Sequence, residues 1–98
     1  MMIEVALQNQ QRDEYLTVTH NKKPEPLHQC VSNAMQLYFQ NLDGHGANNL
    51  YRMVMNEVEA PLLESVMKHA GGNQTLAATI LGISRSTLRK KLSQYDLD

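Results

Sequence analysis

The stretch NQTLAATILGISRSTLRKKL, residues 73–92, contains two short helical patterns on either side of Gly82. Apolar residues recur at helical spacing before the glycine, and Leu88 and Leu92 lie four apart on one face after it. Glycine readily adopts the positive φ that ends a helix, and Ser84 is a favoured residue type for capping the next one. Two short helices joined by a tight turn form a helix-turn-helix, which is the motif that this stretch predicts.

Basic residues are concentrated in and just before the same stretch. The 98 residues carry a net charge of −1, with nine Lys and Arg against ten Asp and Glu. Residues 1–67 hold four basic and eight acidic side chains, a balance of −4, whereas residues 68–95 hold five basic and no acidic ones, a balance of +5. An ordinary solvated face is the alternative interpretation, but cations without carboxylate partners favour the neutralisation of DNA phosphates.

The second predicted helix has the layout of a recognition helix. Ser84 and Arg85 stand at its N-terminal tip, and Ser86, Arg89 and Lys90 project away from its leucine face. The tip of such a helix reaches base edges when the helix enters the major groove. We therefore predict that this helix contacts DNA.

The N-terminal quarter, residues 1–25, is polar and rich in Gln and Asn. An alternating run at residues 15–19 precedes a turn-like pair and predicts one strand of a β-hairpin. The return strand would fall at residues 22–26, which include two prolines and no aliphatic or aromatic side chain, and an isolated hairpin of this kind is marginal. We expect a mobile arm, and plain disorder is an open alternative.

Two long helices are predicted between the arm and the helix-turn-helix. The first begins with Pro26 as its first residue and continues with a period near 3.6 until an Asp-Gly pair. The second spans about residues 50–70, roughly 30 Å, and Pro61 either kinks it or divides it in two. The predicted domains are a flexible arm at 1–25, a dimerisation core at 26–72 and a DNA-binding unit at 73–98.

The second long helix carries more apolar residues than one chain can cover, since only one other long helix is predicted. A second copy of the chain crossing the same helix would bury the surplus and form a two-fold homodimer. Such a dimer presents two recognition helices to an inverted-repeat site, and about eight neutralised phosphates give a salt slope of about −7. The predicted dimer core is Leu50, Val54, Val58, Pro61, Leu62 and Val66.

Sequence patterns for catalysis or metal binding are missing. The four histidines are scattered, and no Gly-rich phosphate loop or nucleophile motif is present, so we expect no enzyme activity, no metal and no cofactor. Glu57, Glu59 and Glu64 are interpreted as solvated positions of the second long helix. No run is long enough to span a membrane and the first residues do not resemble a secretory signal, so a cytoplasmic protein is expected.

Three segments carry a resemblance to a known family: EVEAPLL at residues 57–63, GNQT at 72–75 and TLRKKL at 87–92. The chain resembles, over essentially its whole length, the Fis family of bacterial nucleoid-associated proteins, named for the factor for inversion stimulation. The resemblance implies an all-α, four-helix subunit in an intertwined homodimer that binds and bends degenerate, AT-centred sites. It also implies roles in transcription regulation, in organising the nucleoid and in stimulating site-specific DNA inversion.

By position, the resemblance also implies roles for individual residues. Ser84 and Arg85 would meet base edges, and Arg89 the flanking DNA. The implied phosphate contacts are Asn73, Thr75, Thr87, Lys90 and Lys91. The implied contacts of the arm with a DNA invertase are Val18, His20 and Lys22, and those of the turn before the helix-turn-helix with RNA polymerase are Lys68, Gly71, Gly72 and Gln74. The alternative function is a helical dimeric adaptor that binds an acidic protein partner without DNA.

Overall fold

A computed structural model describes residues 16–20 and 23–98. The chain divides into two compact units, one within residues 1–47 and one over residues 48–98. The described residues form a two-stranded hairpin and four helices, which confirms the predicted four-helix subunit. None of these helices is long and apolar enough to cross a membrane.

The first unit contains the hairpin. Strand β1 (Thr17–His20) pairs antiparallel with β2 (Lys23–Pro26). The predicted hairpin is therefore present, and plain disorder is wrong for the described residues of this segment. His20, which the sequence assigned to the turn, is the last residue of β1 and pairs with Lys23. Lys22 lies outside the described residues.

Helix α1 (Leu27–Gln40) follows the hairpin directly. The prediction that Pro26 is its first residue is wrong. Pro26 is the last residue of β2, and its ψ of 143° is that of an extended backbone and not of a helix. The helix also ends earlier than predicted, so that Leu42 lies in the following turn. Asp43 and Gly44 have φ of 53° and 82° in that turn, which a right-handed helix cannot contain.

Contacts with α1 explain why so short a hairpin forms. The backbone amide of Leu27 donates to the carbonyl of Leu16 at 2.7 Å. The carboxylate of Glu25 accepts a hydrogen bond from the side-chain NH₂ group of Asn33 at 2.9 Å and one from the Cys30 thiol at 3.6 Å. Because these bonds join the hairpin to a helix, it is not the isolated pair of strands that would be marginal in water.

The second unit contains α2 (Leu50–His69), α3 (Gln74–Leu81) and α4 (Arg85–Gln94). Pro61 lies inside an unbroken α2, so the alternative that it separates two helices is wrong. Asn49, the residue before α2, has a φ of 56°, and its side chain makes no capping hydrogen bond.

The turns around α3 confirm the predicted helix-turn-helix. Before α3, the side-chain carbonyl of Asn73 accepts a hydrogen bond from the Leu76 amide at 3.1 Å. After it, Gly82 has φ of 73°, and the Ile83 amide donates to the Ala78 carbonyl at 3.1 Å. This is the left-handed helix end that glycine accommodates without strain.

The core of the second unit lies where α3 and α4 meet the C-terminal half of α2. Val66 and Met67 of α2 are half-buried and pack against it, so part of this half of the helix is covered within its own chain. The buried core residues are Leu63, Ala70, Ala77, Ala78, Leu88 and Leu92. Elsewhere on α2, apolar side chains remain exposed at Tyr51, Met53, Val58 and Leu62.

Candidate nucleic-acid interface

Ser84 caps α4, as predicted, and is bonded within the first turn of the helix. Its hydroxyl accepts a hydrogen bond from the Thr87 amide at 3.1 Å and donates one to the Thr87 hydroxyl at 2.8 Å. It also lies 3.2 Å from the Ser86 hydroxyl. Because the Thr87 oxygen accepts from Ser84, the Thr87 proton remains available to an outside acceptor such as a phosphate oxygen.

Three cations of α4 are directed away from the core. Leu88 and Leu92 have no exposed surface, whereas Arg85 at the N-terminal tip of the helix and Arg89 and Lys90 outside the leucine face are all exposed. Among the described residues, no carboxylate forms an ion pair with any of these three side chains. Burial of the leucine face thus fixes which charges face solvent, as the sequence predicted.

These cations border an open cavity of about 540 Å³. It is lined by Gln74, Arg85, Arg89, Lys90, Ser93 and Asp98. Sequence reasoning missed Ser93, although its position four residues after Arg89 places both on one helical face. The sequence analysis assigned Gln74 to a contact with RNA polymerase and did not consider Asp98. The proximity of these two residues to α4 depends on the packing of α3 and on the path of the chain after α4.

Asn73 and Thr75 are exposed at the N-terminus of α3. The Asn73 carbonyl oxygen is occupied by the capping bond, which leaves its NH₂ group free to donate outward. Backbone amides and the helix dipole favour anions at such a terminus. The predicted phosphate-contact residues of α3 are therefore located where they can donate to an anion.

Lys91, the fourth cation of α4, differs from the other three because it forms an ion pair. Its ammonium lies 2.6 Å from a carboxylate oxygen of Glu59 on α2, and the Glu59 side chain is only 19% exposed. The expectation that the cations of α4 lack a carboxylate is therefore wrong for Lys91, and the solvated position expected for Glu59 is wrong as well. The pair spans 32 residues of sequence, so local spacing does not reveal it.

Glu59 also receives a hydrogen bond from Tyr95, the residue directly after α4. The Tyr95 hydroxyl donates to the second Glu59 oxygen at 2.6 Å and lies 3.3 Å from the Asn56 side-chain oxygen. The hydrogen bond from Lys91, followed by that from Tyr95, lowers the pKa of Glu59. The same bond to Glu59 raises the pKa of Tyr95, since it holds the phenolic proton next to a carboxylate.

The residues predicted to contact other proteins fall on separate surfaces. Lys68, Gly71 and Gly72 are exposed around the end of α2, whereas Gln74 is half-buried and lines the cavity beside α4. On the hairpin, Val18 is 39% exposed. Within residues 16–20 and 23–98, no group of three His, Cys, Asp or Glu residues is arranged to hold a metal ion.

Comparison with known proteins identifies the family. Residues 2–47 match the model of the DNA-binding protein Fis N-terminal domain, and residues 54–95 match that of the bacterial regulatory proteins of the Fis family. A DNA-binding protein Fis of Glaesserella parasuis serovar 5 is 42% identical over 97 residues, 99% of each chain. This chain belongs to the Fis family. A Fis-like DNA-binding protein of Pseudomonas aeruginosa is 50% identical over 84 residues, covering 86% of this chain and 80% of that protein.

Membership in the Fis family confirms the resemblance that the sequence suggested and identifies the chain as a DNA-binding protein. The match over residues 54–95 includes the whole of α3 and α4, together with most of α2. The exposed cations of α4 therefore lie inside the segment that defines the family. The individual roles predicted for the site residues remain predictions.

Replacement of Glu59 by Gln should produce a pH-dependent loss of stability. Because the pKa of Glu59 is lowered in the folded state, its stabilising contribution is full above the ordinary glutamate pKa of about 4.3. That contribution is lost as the pH falls through the folded-state value. We expect Glu59→Gln to lower the free energy of unfolding by about 1 kcal/mol near neutral pH.

Urea unfolding of both proteins at successive pH values measures this difference. The difference in the free energy of unfolding between Glu59→Gln and the unmodified chain should decrease as the pH falls through the folded-state pKa of Glu59. Glu57→Gln, an exposed site on the same helix, is the matched control and should show little gap at any pH. A gap of constant size across the titration would contradict the assignment to the Glu59 carboxylate.

Proposed function

We propose that this Fis-family chain acts as a homodimer that binds and bends degenerate inverted-repeat DNA sites, with α4 as the recognition helix. The observation that supports this most directly is the exposure of Arg85, Arg89 and Lys90 on a helix whose leucine face is fully buried, with no ion pair to these three cations among the described residues. A rod of this kind meets the requirements of the major groove, because cations reach phosphates from its sides and base edges from its tip. In this proposal Arg85 contacts base edges, and Arg89 and Lys90 contact the backbone.

The ion pair of Lys91 changes the expected salt dependence. Three cations of α4 have no ion pair among the described residues, and two of them, Arg89 and Lys90, are assigned to the backbone, which gives four phosphate contacts in a dimer, compared with the eight that the sequence suggested. Each neutralised phosphate contributes about −0.9 to the slope of log affinity against log salt. We therefore expect a slope of about −4, which is shallower than the slope of about −7 expected from the sequence alone.

The adaptor alternative requires a chain that does not bind DNA, and membership in a DNA-binding family disfavours it. The cavity beside α4 also suits an elongated polyanion, because it is open and its cations border it along more than one helical turn. Binding to chromosomal DNA would bring the protein to the nucleoid. A regulator of transcription that acts in this way needs no catalytic group of its own.

The double substitution Arg85→Ala with Arg89→Ala should abolish most DNA binding. In a mobility-shift titration near 0.1 M salt, we expect affinity for an inverted-repeat duplex to fall by at least about 100-fold, since a base contact and a phosphate contact are lost twice. The salt slope should become shallower by about 2, since one phosphate contact is lost from each chain. Arg52→Ala removes an exposed cation of α2 and is the control, for which affinity should change by less than about threefold. Equal affinity of the double variant and the unmodified chain would support the adaptor instead.

The exposed apolar side chains of α2 support the proposed dimer. Tyr51 is 80% exposed, and Met53, Val58 and Leu62 are between 40% and 48% exposed. Apolar side chains this open on one helix are typical of a surface that a partner covers. A second copy of the chain fits this role, because a two-fold axis supplies the two recognition helices that an inverted repeat requires.

Leu62→Glu should disrupt this dimer. Sedimentation equilibrium should show the unmodified chain as a dimer at micromolar concentration, and the variant with a dissociation constant raised at least about 100-fold, since a carboxylate is costly in an apolar interface. Leu76→Glu is a matched control, because Leu76 on α3 is 45% exposed and Leu62 is 47% exposed. An unmodified chain that sediments as a monomer would contradict the proposal directly.

We also propose that the hairpin stimulates site-specific DNA inversion. The hairpin is bonded to α1 and exposes Val18, a combination that can present a small apolar surface to an invertase. The contacts with RNA polymerase around Lys68 and Gly71 remain predictions, and the two glycines of that turn offer no side chain. We assign Gln74 to the DNA-facing cavity in place of the polymerase contact.

An inversion assay on supercoiled DNA, at concentrations that fill the binding sites, tests the role of the hairpin. Val18→Asn should reduce the inversion rate by at least about tenfold without changing site occupancy, since the loss concerns a protein contact. Thr19→Asn, on the opposite face of the same strand, should leave the rate nearly unchanged. Full occupancy by the unmodified chain without any inversion would remove this role.

A further inference from the structure

The contact between α2 and α4 has an apolar part and a polar part. Leu63, Leu88 and Leu92 belong to the buried core, and apolar packing of this kind is not directional. The polar part is the carboxylate of Glu59, which receives Lys91 on one oxygen and Tyr95 on the other, each at 2.6 Å. The two oxygens of one side chain thus bind Lys91 of α4 and Tyr95, the residue directly after α4, which are four residues apart.

Two directional bonds at this spacing restrict rotation of α4 about its own axis. With side chains an α-helix is about 10 to 12 Å wide, so a rotation of about 10° moves the tip of an exposed side chain by about 1 Å. Hydrogen bonds to base edges weaken over distances of this size. The orientation of Arg85 and Arg89 towards DNA therefore depends on what holds the far side of the helix.

Lys90 and Lys91 are adjacent residues of the same type in different electrostatic situations. Lys90 is exposed and has no carboxylate partner among the described residues, whereas Lys91 is half-buried and paired with Glu59. A lysine whose charge is already balanced releases no counterion when DNA binds. The two neighbours thus provide a comparison in which residue type and helix are the same, whereas burial and the ion-pair partner differ.

We propose that Glu59 and Lys91 are a positioning pair that fixes the rotation of α4, and that Lys91 sets the selectivity of DNA binding without contacting a phosphate. This inference rests on the proposed DNA-binding function of α4 and differs from the phosphate contact that the sequence suggested for Lys91. Tyr95 completes the contact by holding the second oxygen of Glu59. Selectivity here means the ratio of affinities for an inverted-repeat duplex and for a duplex of mixed sequence.

The test compares Lys90→Met with Lys91→Met in salt titrations against both duplexes. The inverted repeat is selected from a random pool by the unmodified chain. Lys90→Met should make the slope shallower by about 2 per dimer on both duplexes, since one phosphate contact is lost from each chain. Lys91→Met should leave both slopes unchanged, since no phosphate contact is lost. It should lower selectivity by about tenfold, because α4 is no longer held in the rotation that presents its side chains to the bases. Equal loss of slope in both variants would make Lys91 a phosphate contact and overturn the proposal.

In Glu59→Gln, the affinity for the mixed-sequence duplex is a measurement that a purely structural role of Glu59 would not increase. It keeps an acceptor for Tyr95 but frees the charge of Lys91, so affinity for the mixed-sequence duplex should rise by about threefold or more while selectivity falls. The exchanged pair, Glu59→Lys with Lys91→Glu, should recover most of the selectivity that Lys91→Glu alone loses. Unchanged selectivity in Glu59→Gln, or failure of the exchanged pair to recover it when circular dichroism shows it folded, would overturn the proposal.

Failure of the underlying function is distinguishable in the same experiment. If the unmodified chain binds neither duplex, the DNA-binding proposal fails, and the selectivity role of Lys91 that rests on it fails as well. If it binds both with a steep salt slope and only the Lys91 variants deviate from expectation, the positioning role alone fails. All titrations are made at a temperature at which thermal denaturation shows each variant fully folded.

Discussion

Burial of Leu88 and Leu92 is the constraint on which the helix-turn-helix of the second unit depends. Neither side chain retains exposed surface, and each contributes about 1.5 to 3 kcal/mol when it is fully removed from water. Because α4 is only ten residues long, it has little stability by itself and is held by this apolar face. The same burial determines which residues face outward. Packing and charge display in α4 are therefore two consequences of one pattern.

The helix-turn-helix was predictable because each of its signals is local. Gly82 adopts the left-handed conformation, and Asn73 and Ser84 cap the two helices, each within three residues of its hydrogen-bond partner. Local signals can also mislead where two structures compete for one residue. Pro26 is a residue type that favours the first position of a helix, but it is the last residue of β2. The hairpin is stabilised by hydrogen bonds with α1, which the sequence pattern does not reveal.

The electrostatic partners of α4 were not predictable in the same way. Residues 68–95 contain no acidic side chain, which suggested four unpaired cations, but the carboxylate that pairs with Lys91 comes from Glu59 on another helix. Whether a lysine is a phosphate contact or an internal ion pair depends on the packing angle between two helices, and periodicity does not specify this angle. The same reason explains why Gln74 and Asp98 were not recognised as neighbours of Arg85 in the cavity.

Helix α2 combines two tasks along its length. Its C-terminal half carries Leu63 and packs against α3 and α4, whereas Tyr51, Met53 and Val58 leave apolar surface on the preceding turns. Twenty residues extend about 30 Å, so a partner bound at one end is held at a fixed distance from α4 at the other. Glu59 lies between the two halves and is hydrogen-bonded to α4. In the proposed dimer, the spacing of the two recognition helices would then follow from the rigidity of α2 and from the bonds that Glu59 makes, and not from the helix-turn-helix alone.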